Sequence, residues 1–236
     1  MVRHMTSADF IRHLDSRQMP RYSFGEAAQY LGLPKSTIKS WFVGTTSGSR
    51  PNLYYFKPIL YPTTPSLLSF FDIASAHVLM AFHRKQVPTR NIRVIIRSLE
   101  MEYPKYRYPL LGMNFFLFGK NVILKQVQRR LNLSQSRQLG FKEVMDKFLA
   151  QLELDSSKMP IRFSPILAQT NGHRPFIVID PNLSAGRPVI RGTGIAAEII
   201  SKRKASGESV ARLMRDYRLS KRAIEEAIHY CPPQAA

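Results

Sequence analysis

The sequence predicts a mainly α-helical protein with small β-hairpins, built from three segments of a 236-residue chain. Two observations predict this fold class. Apolar residues recur at helical spacing over most of the chain, and short runs rich in β-branched and aromatic residues lie beside glycine-containing turns. The predicted segments are residues 20–62, 63–168 and 174–231, and a polar linker from Gln169 to Pro175 separates the last two.

The charge of the chain is strongly positive. Thirty-five Lys and Arg residues against 16 Asp and Glu give a net charge of +19, and the excess is spread along the chain. A field of this sign favours nucleic acid as the partner. An anionic membrane surface and a merely basic protein surface are the alternatives.

Cysteine content and hydropathy exclude several classes of protein. Cys231 is the single cysteine, which excludes an internal disulfide and a cysteine-based zinc cage. No apolar run approaches the roughly 20 residues that a membrane span needs, and the N-terminal residues lack the apolar core of a signal peptide. We therefore expect a cytoplasmic protein.

Residues 23–42 contain the signals of two short helices joined by a tight turn. Ser23 and Glu26 form an S-x-x-E capping box that starts a helix running to about Leu31. Gly32 supplies the positive φ angle of the turn, and Pro34 opens the second helix. Apolar residues of both helices are expected to face each other: Ala27, Ala28, Leu31, Ile38, Trp41 and Phe42. This spacing predicts a helix-turn-helix, with an ordinary helical hairpin as the alternative.

The outward face of the second helix favours DNA as its partner. It carries only short polar or cationic side chains: Lys35, Ser36, Thr37, Lys39 and Ser40. Such groups reach phosphates and base edges in a major groove without acidic repulsion. A solvated helix face is the alternative, although such faces usually include acidic residues.

The residues that follow predict a β-wing. Residues 44–52 have the composition of a flexible loop, and residues 53–60 that of one or two strands. Arg50, Tyr54 and Lys57 are expected to lie along the DNA backbone. Residues 23–60 resemble a winged helix of the MerR-like class, and the segment Leu67–Leu79 resembles the helix that follows the wing in that class. The resemblance implies binding to palindromic DNA as a homodimer.

The middle segment predicts further helices at residues 66–86, from Pro88 onward and at 139–152. It also predicts a hairpin over residues 115–124 and a strand at 161–167. Three arginines of the second of these helices form a stripe that either follows a phosphate backbone or is a solvated face: Arg90, Arg93 and Arg97. The aromatic clusters are expected in the core or in dimer contacts.

The C-terminal segment predicts a hairpin and three helices. Residues 176–181 and 186–195 form the hairpin, and the helices lie at about Ala196–Ala205, Ser209–Tyr217 and Ser220–Tyr230. These residues resemble the family "domain of unknown function 433", which is linked to VapB-type antitoxins of PIN-like ribonuclease toxins. Members of that family usually carry Arg where this chain has Gly194.

The antitoxin resemblance implies a protein partner for this segment. A PIN-like site is a carboxylate cluster, so Arg187, Arg191 and Thr193 of the hairpin are the candidate toxin contacts. In the alternative, the two arginines pair with Asp180 or Asp216. Glu225 and Glu226 of the third helix are expected to point outward. These carboxylates would repel DNA phosphates, so the segment is expected to contact protein.

The sequence does not predict catalysis. Six histidines are scattered, and neither a metalloprotease motif, a phosphate-binding loop nor a nucleophile elbow is present. We expect no enzyme activity, no catalytic or metal-binding residues and no cofactor. The predicted function is a DNA-binding antitoxin that neutralises a PIN-like ribonuclease and represses its own operon. The alternative is a MerR-like one-component regulator that senses a small molecule through residues 63–168.

Overall fold

The fold comes from a computed structural model, which divides into two compact units, Met1–Lys142 and Glu143–Ala236. The residues described are 15–105, 107–112, 120–131, 135–165 and 174–231. The predicted middle segment, residues 63–168, is thus shared between the two units. Most of the predicted linker, residues 169–173, lies outside the described residues.

Helices dominate the first unit, as the sequence predicts. They are α1 (Phe24–Leu31), α2 (Lys35–Phe42), α3 (Phe70–Arg84), α4 (Thr89–Glu102), α5 (Lys120–Leu131) and α6 (Gln135–Leu149). Helix α6 continues into the second unit. A two-stranded antiparallel hairpin, β1 (Thr45–Ser47) and β2 (Tyr54–Phe56), lies between α2 and α3. None of the described helices is both long enough and apolar enough to cross a lipid bilayer.

The predicted start and turn of the helix-turn-helix are confirmed. The Ser23 side chain accepts from the backbone N–H of Glu26, and the Glu26 carboxylate accepts from the backbone N–H of Ser23. Gly32 has a φ of 63°, a left-handed conformation that glycine adopts without steric cost. Pro34 is the N-cap residue of α2, one position before its first helical residue.

Helix α3 forms the centre of the first unit. Every residue from Phe70 to Phe82 is buried, including the polar Asp72 and His77. A helix that is buried on all sides has packing partners all round it. Burial raises the pKa of Asp72, while hydrogen bonds from Ser69 act in the opposite direction.

The predicted hairpin over residues 115–124 is wrong where the structure describes it. Residues 122–124 lie within α5, and residues 113–119 lie outside the described residues. Ile123 and Val127 are buried four residues apart, so the apolar run belongs to a helical face. A short apolar run does not distinguish a strand from a helix by itself. The predicted helix at 139–152 is confirmed up to residue 149 as α6, whereas residue 152 belongs to a strand.

The second unit pairs an antiparallel sheet with three helices. The strands lie in the order β3 (Leu152–Leu154), β4 (Pro160–Phe163), β5 (Ile177–Ile179) and β6 (Pro188–Ile190). Strand β4 overlaps the predicted strand 161–167 at residues 161–163. Residues 166 and 167 lie outside the described residues. The predicted hairpin is β5–β6, and it is half of a larger sheet than the sequence indicates.

The three C-terminal helices agree closely with prediction: α7 (Ala197–Ala205), α8 (Val210–Tyr217) and α9 (Lys221–Tyr230). Ser209 and Ser220 are the N-caps of α8 and α9, and each side chain accepts a backbone hydrogen bond. The helices and the β5–β6 hairpin share one core, made of Ile177, Ile190, Ala197, Ile200, Leu213, Ala223, Ile224, Ala227 and Cys231.

Candidate nucleic-acid interface

Helix α2 is fixed by its apolar face. Ile38, Trp41 and Phe42 are at most 3% exposed. The opposing side chains on α1 include Ala27 and Ala28, whose small size allows the helices to approach closely. The Trp41 carbonyl also accepts hydrogen bonds from the N–H groups of the two residues after the wing, Ile59 and Leu60, at 2.8 and 2.9 Å. The orientation of α2 is therefore set by the core and by the chain that leaves the wing.

The other face of α2 is open and cationic. Lys35, Ser36 and Lys39 are exposed, and Thr37 and Ser40 are half-buried. The helix contains two lysines and no acid. The Ser40 hydroxyl donates to the Thr37 carbonyl at 2.9 Å, so its proton is already used inside the helix. The two lysines, Ser36 and the Thr37 hydroxyl remain the groups on this face best placed to donate to DNA.

The wing differs from its predicted form in one respect. Its first strand, β1, lies inside residues 44–52, which the sequence predicts as a loop. All three residues of β1 are exposed, so the strand lacks the alternation of buried and exposed residues that identifies strands in sequence. A Cβ atom at Gly44 or Gly48 would clash with a carbonyl oxygen of the chain opposite, which explains glycine at both positions.

The wing is aromatic as well as cationic. Tyr54 and Tyr55 are 62% and 61% exposed. The Tyr55 hydroxyl donates to the Val43 carbonyl at 2.7 Å, which ties β2 to the end of α2. Arg50 and Lys57 are exposed, in the loop of the wing and directly after β2. All eight predicted DNA contacts thus lie on α2 or on the wing, within one unit.

One arginine of the predicted α4 stripe has a different role. The Arg93 guanidinium lies 5.7 Å from the centre of the Phe56 ring, and its Nε donates to the Lys57 carbonyl at 2.7 Å. Arg93 therefore connects α4 to the base of the wing. Arg90 and Arg97 are exposed.

In the second unit, Arg191 is held on several sides by the chain itself. It follows β6, and its side chain reaches across the sheet. The guanidinium donates to the Pro175 carbonyl at 3.1 Å, to the Ser164 hydroxyl at 3.1 Å and to the Glu153 carboxylate. One side chain thus joins the end of β6 to positions on or beside the other three strands.

Arg187 and Thr193 occupy different surroundings. Arg187 is exposed, and its Nε donates only to the nearby Ser184 carbonyl at 3.2 Å. The Thr193 hydroxyl donates to the Ile190 carbonyl at 2.8 Å and accepts from the Ile195 N–H at 3.1 Å, so it closes the turn after β6. Of the three predicted toxin contacts, Arg187 has the most accessible charge.

The acids of this unit are engaged with cations or backbone. Asp180 lies 3.3 Å from the Arg162 guanidinium, and among the described residues it forms its ion pair there and not with Arg187 or Arg191. Arg203 hydrogen-bonds both Glu208 and Asp216, and these bonds are the largest cause of the lowered pKa of each carboxyl.

The predicted outward position of Glu226 is wrong. Its carboxylate accepts from the backbone N–H groups of Phe176 and Ile177 at 2.6 and 3.0 Å, which fixes α9 to the start of β5. Glu225 is exposed, as predicted, and lies 3.6 Å from Lys221. In the part of the chain that the structure describes, no three His, Cys, Asp or Glu side chains are placed to hold a metal ion.

Sequence reasoning did not find Glu153 and Arg162 as partners of the hairpin. The two residues face each other across β3 and β4. Both strands lie in the predicted middle segment, residues 63–168, where the sequence predicts a strand at 161–167 but none at β3. Glu153 and Arg191 are 38 positions apart in the sequence, which is farther than a local sequence pattern extends.

Two family models match the chain. Residues 20–96 match a family described as "Putative DNA-binding HTH domain", and residues 177–231 match one described as "Protein of unknown function (DUF433)". The first unit is thus similar to a domain described as a putative DNA-binding helix-turn-helix. The first match extends through α3 into α4, which agrees with the central position of α3 behind the helix-turn-helix.

Two curated relatives come from Mycobacterium tuberculosis (strain ATCC 25618 / H37Rv). "Putative antitoxin VapB45" is 26% identical over 231 residues, covering 89% of this chain and 93% of the relative. "Uncharacterized protein Rv2308" is 25% identical over 232 residues and covers 89% of each chain. The crystal structure of Rv2018 from Mycobacterium tuberculosis matches with a TM-score of 0.64 and 21% identity, covering 89% of this chain and 98% of that one. This last likeness concerns the fold alone.

Proposed function

We propose that this protein is a DNA-binding antitoxin that acts by binding and not by catalysis. It binds its operator as a dimer in a MerR-like manner, represses its own operon, and neutralises a PIN-like ribonuclease through its second unit. The observation that carries the proposal is the exposed, acid-free face of α2, held in place by a buried opposite face. Similarity over 89% of this chain to the relative described as "Putative antitoxin VapB45" supports the rest.

The DNA half of the proposal rests on chemistry that a duplex recognises. Lys35 and Lys39 lie one helical turn apart, so both project from the same side of α2. Ser36 and Thr37 lie between them at the N-terminal end, the part of a recognition helix that contacts base edges. Phosphate contacts position such a helix, and its short polar side chains contact the bases.

The toxin half rests on the β5–β6 hairpin. Arg187 is exposed at the start of β6 and has no carboxylate partner among the described residues. A guanidinium at this place is suited to a carboxylate cluster, because it forms two parallel hydrogen bonds with one carboxylate. Arg191 acts behind it by holding the sheet together.

The DNA half is tested with a duplex from upstream of the gene. Binding is measured by fluorescence anisotropy from low to high salt, for the natural chain and for Lys35→Gln with Lys39→Gln. We expect the variant to bind more weakly. Its salt slope, the steepness with which log affinity falls against log salt concentration, should decrease by roughly two, one for each lost phosphate contact. The matched control, Lys202→Gln with Lys204→Gln, removes the same charge from exposed positions of α7. Equal slopes for the variant and the natural chain would contradict this role for α2.

The toxin half is tested by co-expression with the product of the neighbouring gene. We expect that product to co-purify and its ribonuclease activity to be suppressed. Arg187→Ala should release the activity while leaving the melting temperature unchanged, because Arg187 is exposed. Failure to retain the neighbour, together with a DNA affinity that responds to a small molecule alone, would instead favour a one-component regulator.

A further inference from the structure

Helices α4 and α5 form an open groove of about 560 Å³ on the surface of the first unit. Four residues of α4 and two of α5 line it: Arg90, Asn91, Val94, Ser98, Gln126 and Arg129. An arginine stands on each wall, and both are exposed. The groove lies outside the DNA contacts described for α2 and the wing.

The walls of the groove are held in place by the core. On α4, Ile92, Ile95 and Ile96 are at most 3% exposed, and on α5, Ile123 and Val127 are at most 1% exposed. Each helix therefore packs through one face and presents the neighbouring face to the groove. The spacing of the two arginines depends on packed side chains and not on a loop.

The groove has the composition of an anion site. Helix α5 contains no acid, and the acids of α4, Glu100 and Glu102, lie at its C-terminal end outside the groove lining. In the part of the chain that the structure describes, neither Arg90 nor Arg129 has an acidic partner. The half-buried amides of Asn91 and Gln126 supply further N–H donors. Planar guanidinium groups beside amide donors suit the oxygen atoms of a phosphate.

The groove shares α4 with the wing. Arg93, one turn after Arg90, stacks on Phe56 and donates to the Lys57 carbonyl. Helix α4 thus carries a wing contact on one side and the groove on another, within a single compact unit. The wing and the groove are therefore connected through one helix.

We propose that the α4–α5 groove binds the phosphodiester backbone of the same duplex, beyond the part that the wing contacts. This inference rests on the DNA half of the proposed function. Arg90 and Arg129 bind phosphates of the backbone from the two walls, and Asn91 and Gln126 donate further hydrogen bonds. The contact is independent of base sequence, so it lengthens the bound site and strengthens binding without changing which bases are read.

The test compares Arg90→Gln with Arg129→Gln against the natural chain on the upstream duplex. We expect the salt slope to fall by roughly two, so that the advantage of the natural chain shrinks about tenfold between about 50 and 200 mM salt. Hydroxyl-radical footprinting should show loss of protection at one outer edge of each half-site, with the centre still protected. The matched control is Arg215→Gln with Arg218→Gln, which removes two exposed arginines from the end of α8.

Each outcome separates this inference from the proposed function. If the groove variant matches the control variant in slope and footprint, the groove does not contact DNA, although α2 still does. If the natural chain shows no salt-dependent binding to the duplex, both proposals fail. Arg90→Lys with Arg129→Lys keeps the charge, so it should keep the salt slope. This variant controls for a folding defect. Equal melting temperatures of the variants and the natural chain would exclude such a defect.

Discussion

The cations of α2 and those of the second unit differ in their surroundings. Lys35 and Lys39 stand exposed on a helix without acids. Arg191 and Arg203, by contrast, are each bonded to carboxylates, and their side chains are 24% and 27% exposed. The same charge type therefore serves two purposes. Paired, partly buried cations stabilise the fold, whereas exposed cations without acidic neighbours remain available to a polyanion.

The distribution of acids produces this difference. Residues 1–60 contain 8 basic and 3 acidic residues, and residues 173–236 contain 11 and 6. A net positive charge alone does not identify a DNA-binding surface, because some of the cations form ion pairs within the fold. The decisive property is whether each cation has a partner within the fold. The substitutions below test that property at single positions.

The largest effect on folding is expected at Arg191. Arg191→Ala removes hydrogen bonds to Pro175, Ser164 and Glu153 and leaves that carboxylate without one of its partners. We expect the free energy of unfolding to fall by about 2–3 kcal/mol, measured by urea denaturation. Lys35→Ala should change it by less than about 0.5 kcal/mol. Similar losses for both would remove the distinction between paired and unpaired cations.

A smaller and pH-dependent effect is expected at Arg203. Its guanidinium lowers the pKa of Glu208 and Asp216, so the pairs stabilise the fold fully above the ordinary pKa of these groups. That stabilisation is lost as the pH falls through the lowered values. Arg203→Ala should reduce the melting temperature by a few degrees at neutral pH. The variant should also lose less stability than the natural chain between about pH 5 and 3.

The control for Arg203 is Lys202→Ala on the same helix. Lys202 pairs with Glu198, but their side chains are 74% and 50% exposed. Exposed pairs contribute little, so this variant should keep the melting temperature and the pH profile of the natural chain. A melting curve for Arg203→Ala with the same acid sensitivity as the natural chain would contradict the assignment.

Arg93 is a cation of the first unit that is bonded within the fold, and a still smaller effect is expected there. Arg93→Ala removes the stacking on Phe56 and the bond to the Lys57 carbonyl. The wing should be destabilised by about 0.5–1 kcal/mol, which appears as faster hydrogen exchange at residues 54–57. DNA affinity should fall severalfold. Unchanged exchange in the wing would show that Arg93 does not anchor it.

The smallest effect is expected from adding a cation to the turn after β6. A Cβ atom at Gly194 would meet nothing within 4 Å. Gly194→Arg introduces the residue that is usual in the family that the C-terminal segment resembles. It should therefore change the free energy of unfolding by less than about 0.5 kcal/mol. The informative measurement is retention of the neighbouring gene product. If more of the neighbouring gene product is retained, the turn faces that partner. A large loss of stability would contradict the open space around Gly194.

Local patterns were sufficient for the helix-turn-helix and for the three C-terminal helices. Ser23, Gly32, Ser209 and Ser220 act on backbone groups within a few residues of themselves. Such capping interactions need no distant partner, so they can be recognised in sequence. The exposed face of α2 follows from the same pattern once its apolar face is assigned.

Patterns were insufficient where distant residues decide the outcome. The run at residues 122–124 is helical because Ile123, inside it, shares a buried face with Val127, which follows it by one helical turn. Arg191 and Glu226 were expected to be available to a partner or to solvent, and both are bound to segments more than 30 residues away. These contacts form only when strands from different parts of the chain align.

Helix positions, the turn at Gly32 and the acid-free surface of α2 thus follow from the order of residues, because caps and amphipathic faces act over one or two turns. Only the tertiary structure determines which cations are left unpaired. It also decides that β3 and β4 join the sheet of the C-terminal hairpin and that a groove forms between α4 and α5. Long-range pairing and packing create these features, and their energies depend on neighbours that are remote along the chain.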